Sequence, residues 1–195
     1  IALSAVLLPM IAWLPTRRWA ISAYLWIGTV GTHRRRDMDR LIDQYVKLHA
    51  EQIRRRLLPI ALKVLQRHRD AGDRVIIATG AAPELARAIL DFVAHEDLPV
   101  IGSQGGPFLG GMITTQHCHH ENKMRMIWYA GYDQIAVAYS DSSGDLPLLK
   151  AARSPVVVNP KRNSVAMFQR VLPEGTPILN WGVKGRGGEP VTSDA

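Results

Sequence analysis

The sequence predicts an α/β fold built on an open, largely parallel β-sheet covered by helices. Two observations carry that expectation. From residue 37 onward, amphipathic helical stretches alternate with strand-like ones. The strand-like segments are short continuous apolar runs, RVIIAT at 74–79 and IAVAYS at 135–140, rather than alternating ones. A strand buried on both faces needs such a run, and alternation with helices is the mark of parallel crossover units. With 195 residues there is room for one domain of ordinary size, or one domain and a small appendage.

The N-terminal 36 residues stand apart. Residues 1–15 and 19–32 are uncharged, Arg17 and Arg18 separate them, and His33 with Arg34, Arg35 and Arg36 closes the block. Each run is shorter than the roughly 20 residues a membrane-spanning helix needs. A secretory signal would place basic residues before its apolar run, not after it. Trp13, Trp19, Tyr24 and Trp26 are amphipathic rings suited to a headgroup layer. Arginines that bracket apolar runs fit a helical pair lying on or dipping into an anionic membrane surface, with the cluster on the cytoplasmic side. The competing reading is a helical pair packed on a soluble body.

From Asp37 to Ile53, Leu41, Ile42, Tyr45, Val46 and Leu48 recur at helical spacing, and Arg54, Arg55 and Arg56 end the stretch. Pro59 reads as the first-turn proline of a helix to about Asp70, stopped by Gly72. Residues 74–79 form a strand, and Pro83 starts the next helix. Leu98 to Ile101 is a further strand, and glycines at 105, 106, 110 and 111 punctuate a hairpin. Then come a helix from Glu121, a strand at 135–140, a helix from Leu146, a strand at 156–158 and a helix from Ser164. The Gly- and Pro-rich stretch after Leu172 is expected to be a flexible tail. The organisation expected is a cap or membrane-contact segment over 1–56, an α/β core over 57–172 and a tail over 173–195.

Composition narrows the function classes. Hydrophobic residues at 47% and charged residues at 21% exclude an acidic disordered chain and a low-complexity one. The formal charge is +7, but five arginines without a single acid sit in residues 1–36, so the excess is local. Nucleic-acid binding would prefer a basic stripe on the folded body with aromatic platforms, and none is evident. Cys118 is the single cysteine, so no intrachain disulfide forms and a reducing compartment suits the chain. His117, Cys118, His119 and His120 are adjacent and cannot close one zinc tetrahedron without distortion.

In open α/β sheets ligands bind beyond the carboxyl ends of the strands. The strand 74–79 ends in Thr79-Gly80 before a helix, a combination of hydroxyl and backbone N–H groups that suits an anion. The strand 135–140 runs into Asp141-Ser142-Ser143-Gly144-Asp145, two carboxylates across a tight turn, as a hard divalent cation requires. Each alone equally describes an ordinary turn or cap. Between them Lys123 falls on a helix. Hydroxyl, ammonium and carboxylate-held metal are together the parts that hold and neutralise a phosphoryl group.

This ordered set resembles motifs two to four of the haloacid dehalogenase (HAD) superfamily, in its phosphoserine-phosphatase-like subgroup. The matching stretches are VIIATGAAPELARAI at 75–89, YSDSSGDLPLLKAA at 139–152 and VVVNPKR at 156–162. The resemblance implies a three-layer Rossmannoid sandwich with an N-terminal helical cap. It also implies Mg2+-dependent phosphomonoester hydrolysis through an aspartyl-phosphate. Thr79 and Gly80 would bind the phosphoryl oxygens and Lys123 would neutralise them. Asp141 would ligate magnesium, and Asp145 would support both metal and lysine. Residues 7–33 and 101–123, with Ser103-Gln104 and Cys118 five residues before Lys123, are similar to the phosphatidylglycerophosphatase C family. That likeness implies an anionic phospholipid substrate at the cytoplasmic face of a bacterial inner membrane. A soluble phosphoserine-type phosphatase in the cytoplasm, or an inactive membrane-bound scaffold, are the alternatives. The superfamily's nucleophile is the first aspartate of an Asp-x-Asp motif on an earlier strand. Asp37-Met38-Asp39 follows three arginines without an apolar strand and does not supply it. Truncation and an inactive fragment are therefore expected.

Overall fold

In a computed structural model, residues 17–30, 35–93 and 97–191 are described. The expectations for residues 1–16 and for Arg34 lie outside them, as do those for the side chains of Arg17, Arg18, Trp19 and Tyr24. In chain order the elements are α1 (Arg17–Thr29), α2 (Arg35–Leu48), α3 (Ala50–Arg56), α4 (Pro59–Asp70), β1 (Ile77–Ala78), α5 (Pro83–Phe92), β2 (Val100–Ile101), β3 (Gln104–Phe108) and β4 (Gly111–Gln116). They continue with α6 (His120–Tyr129), β5 (Ile135–Ser140), α7 (Leu146–Ala151), β6 (Ala152–Val158), α8 (Val165–Val171), β7 (Ile178–Asn180) and β8 (Glu189–Pro190). The chain is a mixed α/β fold with parallel sheets, as its sequence predicts.

Chain contacts divide it into two compact units: residues 1–50, 79–97 and 102–117, and residues 51–78, 98–101 and 118–195. In the first, α2 packs on α5, and α1 packs on the antiparallel hairpin β3–β4. The helical periodicity of 37–53 is realised as two helices, α2 and α3, and Val46 is the buried member of the apolar stripe on α2. Asp37 and Asp39 lie within α2, a helix and not a strand end. Pro83 opens α5 after an extended Ala82, because the fixed φ of proline suits a first turn where its missing N–H costs nothing.

In the second unit, β5, β6, β7 and β8 form a four-stranded parallel sheet, and β1 pairs in parallel with β2. Ala138, Leu149, Ala152, Val157, Phe168 and Leu172 make its core. Phe168, Leu149 and Val157 are fully buried between the sheet and the helices α7 and α8. Among the described residues β1 pairs with β2 alone, Ile77 opposite Val100 and Ala78 opposite Ile101, so the strand expected over 74–79 is realised at two residues.

The stretch after Leu172 differs from the flexible tail its composition suggests. It carries β7 and β8, with Ile178 opposite Val157 and Leu179 opposite Glu189 in parallel register. Trp181 is buried, and its N–H donates to Asn159 Oδ1 at 2.7 Å. The glycines there serve turns between strands, and the PILNW run supplies the apolar surface that composition averages away.

Candidate functional site

The apolar run of β5 ends at Ser140, whose hydroxyl begins a compact hydrogen-bonded turn. Ser140 Oγ accepts from the N–H of Ser142 at 3.1 Å and donates to Asp145 Oδ2 at 2.7 Å. Ser142 Oγ accepts from the N–H of Gly144 at 3.1 Å. The other carboxylate oxygen of Asp145, Oδ1, lies 2.6 Å from Lys123 Nζ. Lys123 also donates to Ala78 O at 3.4 Å, at the carboxyl end of β1.

Lys123 is 4% exposed. The sequence expectation for a helical lysine is a solvated one, but α6 turns Lys123, Met124 and Ile127 to the same inward face, and only the tip reaches polar partners. An ammonium held in a low-dielectric pocket interacts more strongly with any anion beside it than one in water does. Burial of the lysine is tolerable because Asp145 compensates its charge. Cys118 is fully buried at the same end of β2, its Sγ 3.9 Å from Ile101 O. Burial pushes its thiol pKa up; nearby Lys123 lowers it and Asp145 raises it, each by less.

Thr79 and Gly80 belong to the first unit. Thr79 Oγ1 accepts from the N–H of Ala81 at 3.1 Å, a turn that leads into α5. Ser103 braces this turn from the next strand end: its hydroxyl donates to Gly80 O at 2.7 Å and its N–H to Ala81 O at 2.9 Å. Gly102 makes the approach possible, since a Cβ there would sit 2.6 Å from Ala81 O. A polar turn held by a neighbouring loop keeps its N–H groups at fixed positions, as preorganised anion binding requires.

Asp141, directly beyond β5, is exposed, and its Oδ2 lies 3.7 Å from Arg186 Nη1. Arg186 is held by its loop: Gly187 N–H donates to Pro160 O at 2.8 Å, and Lys161 bridges Arg186. Lys123 and Asp145, expected together, are brought together within the second unit, with Asp141 four residues before Asp145 on the same turn. Three contributors were not singled out from sequence alone. Arg186 hid in a glycine run, Ser140 read as the end of an apolar strand, and Ser103 appeared only as half of a Ser-Gln pair. A hydroxyl ending a buried run was the available signal for Ser140.

A second polar chain lies on the same unit. His68 Nδ1 is 2.7 Å from Asp73 Oδ2, and His68 Nε2 is 2.9 Å from the hydroxyl of Tyr139, which also packs against Trp181. Burial and, less strongly, the Asp73 charge raise the pKa of Tyr139.

Magnesium is implied by the sequence resemblance, and the donor set can be tested against it. Among the described residues no three His, Cys, Asp or Glu side chains gather as a metal cluster. Magnesium typically takes one or two carboxylates, with waters and substrate phosphate completing its octahedron. Asp141 fits as such a ligand. Both oxygens of Asp145 are engaged by Lys123 and Ser140, so its fit is that of an orienting group.

Comparison with known proteins agrees with this arrangement. A family model described as haloacid dehalogenase-like hydrolase matches residues 8–150. The chain is 24% identical over 155 residues to a histidinol-phosphatase of Neisseria meningitidis serogroup C, covering 73% of this chain and 68% of that protein. It is 28% identical over 153 residues to an inhibition of morphological differentiation protein of Streptomyces azureus, covering 72% of this chain and 53% of that one. It thus spans about half the length of the Streptomyces relative. The crystal structure of a Bordetella pertussis Tohama I protein of unknown function superposes with a TM-score of 0.62 at 22% identity, over 78% of this chain and 70% of that one. With most of its length matched by the family model, and with Lys123 and Asp145 paired at the carboxyl ends of parallel strands, the chain belongs to the haloacid dehalogenase-like hydrolases.

Proposed function

We propose that the protein is the phosphate-handling body of a magnesium-dependent phosphomonoesterase. The observation that carries this reading is the buried Lys123–Asp145 pair, 2.6 Å apart, with the lysine also bonded to the carboxyl end of β1. Lys123 neutralises a phosphoryl oxygen, and Asp145 and Ser140 hold its ammonium in place. In the first unit, the family resemblance gives Thr79 and Gly80, at the turn before α5, the role of phosphoryl-oxygen contacts. Asp141 holds the magnesium, which when bound supplies charge neutralisation at the phosphoryl group. Arg186 beside Asp141 balances that carboxylate in the free protein.

The nucleophilic carboxylate belongs to a further strand. Among the described residues β1 and β5 are each paired on one side only, and the carboxyl ends of both are tied to Lys123 and its partner Asp145. A parallel strand between them would deliver a terminal aspartate beside the lysine. Its attack on phosphorus would break the ester P–O bond, release the substrate alcohol with a proton taken up from solvent, and leave an aspartyl-phosphate that water hydrolyses to inorganic phosphate and the free carboxylate. The substrate proposed is phosphatidylglycerophosphate or a similar anionic lipid phosphate, supported by the acid-free, arginine-bracketed N-terminal residues. A small soluble phosphomonoester is the second reading, favoured by the likeness to a histidinol-phosphatase.

Phosphate affinity tests the site on the chain as it stands. Isothermal titration of residues 1–195 with inorganic phosphate and Mg2+ should show saturable binding that Lys123→Met weakens by about tenfold or more. Equal binding by the variant would remove the lysine from the site. A restored chain that hydrolyses small phosphate esters but no lipid phosphate in mixed micelles would select the soluble reading.

A further inference from the structure

The β3–β4 hairpin and the end of α1, both in the first unit, carry a surface that the phosphate site does not use. Trp26 Nε1 donates to Phe108 O at 2.8 Å and lies 3.3 Å from Leu109 O. The N–H of Met112 donates to Thr29 Oγ1 at 2.8 Å. Gly111 lets the helix approach this closely, since a Cβ there would lie 2.7 Å from the Trp26 ring. The tip is thus fastened to the end of the helix.

What it presents is apolar. Leu109 is 78% exposed, Val30 55%, Phe108 51% and Ile27 40%. Leu109 sits at φ +42° ahead of Gly110 at φ +81°. A two-residue turn with both φ positive favours Asn, Asp or Gly at its first position, and a branched apolar side chain there is strained. Local folding does not account for leucine at that place. Strain of this kind persists where a function requires the side chain.

Neither α1 nor the β3–β4 hairpin contains an acidic residue. No acid occurs between Leu98 and His120 or anywhere in residues 1–36, and His33, Arg34, Arg35 and Arg36 follow Val30 within a few positions. An apolar tip on two acid-free elements, with arginines close to α1 in the sequence, complements an anionic lipid surface, where side chains enter the acyl boundary and cations meet headgroups. Among the described residues no helix is long and apolar enough to cross a membrane.

We propose that Phe108 and Leu109, with Ile27 and Val30, form a docking surface for anionic bilayers. The proposal rests on the lipid-phosphate reading above and names the part of the chain that brings it to the membrane.

The test is co-sedimentation of the full chain with equimolar phosphatidylglycerol/phosphatidylcholine vesicles. Phe108→Asp/Leu109→Asp should lower the partition coefficient by about tenfold or more, because two exposed apolar anchors become charges. Tyr129→Asp, at a side chain 87% exposed in the other unit, should leave it unchanged. Pure phosphatidylcholine should bind more weakly than the mixture. The hairpin variant should melt no lower than the parent, since both side chains are exposed and aspartate tolerates positive φ better than leucine. Vesicle binding that survives the double variant, or no binding by the parent chain, would overturn the proposal. So would loss of self-association in the variant without any vesicle binding, which would assign the patch to a second copy. Hydrolysis of soluble phosphate esters by the restored chain does not depend on the tip, so failure here leaves the phosphatase reading standing.

Discussion

At the scale of single residues, Lys123 concentrates the chemistry and part of the stability. Its charge is buried and is balanced by Asp145 at 2.6 Å, while Ser140 takes the other carboxylate oxygen. Removing either partner of a buried pair leaves an uncompensated charge, a loss of about 3–5 kcal/mol, whereas removing both can be far milder. Lys123→Met and Asp145→Asn should therefore each destabilise strongly, and the double variant should lose clearly less than the sum. Urea unfolding of the four proteins measures the coupling. Additive losses would mean that the pair is not the compensated unit described here. The family resemblance implies this pairing, but nothing local in the sequence marks a helical lysine as buried.

Among the elements, the strands were legible where apolar runs were continuous and illegible where glycine and proline diluted them. RVIIAT and IAVAYS stand out as continuous apolar runs, but the expected burial on both faces is not met: RVIIAT is a strand at Ile77 and Ala78 alone, and in β5 Ala136, Val137 and Tyr139 are exposed while Ala138 and Ser140 are buried. The three residues of β7 lie within a stretch whose glycines and prolines dominate any average, yet Ile178 pairs with Val157 and Trp181 is buried behind it. The hairpin was legible from its glycines, but the exposed Leu109 at positive φ was not, since a turn sequence does not report side-chain exposure. Because β7 pairs with β6 and carries β8 in the parallel sheet, deletion of residues 173–195 should abolish or sharply lower the cooperative melting transition. A fully buried large apolar side chain contributes about 1.5–3 kcal/mol; Trp181 is buried and Ile178 and Leu179 are partly so, and their joint loss is a large fraction of the ~5–15 kcal/mol of a whole domain. Differential scanning calorimetry checks it. A deletion variant that melts like the parent would show that β7 and β8 contribute little.

For the molecule as a whole, the α/β class and the pairing of lysine with carboxylate were readable in advance, because both follow from residue pattern and chain order. How strand edges face one another was not, since that is a property of the sheet. The second unit holds two parallel sheets, β1–β2 and β5–β6–β7–β8. Their carboxyl ends are joined through one lysine, and β1 and β5 each keep an unpaired edge among the described residues. That arrangement supports the proposal that the catalytic carboxylate arrives on a further parallel strand. The most direct measurement is Mg2+-dependent phosphate release from a phosphomonoester, comparing residues 1–195 with the same chain extended by its upstream coding sequence. The account predicts turnover by the extended chain alone, reduced by about 100-fold or more by Lys123→Met. Robust turnover by residues 1–195, or none by the extended chain, would contradict it.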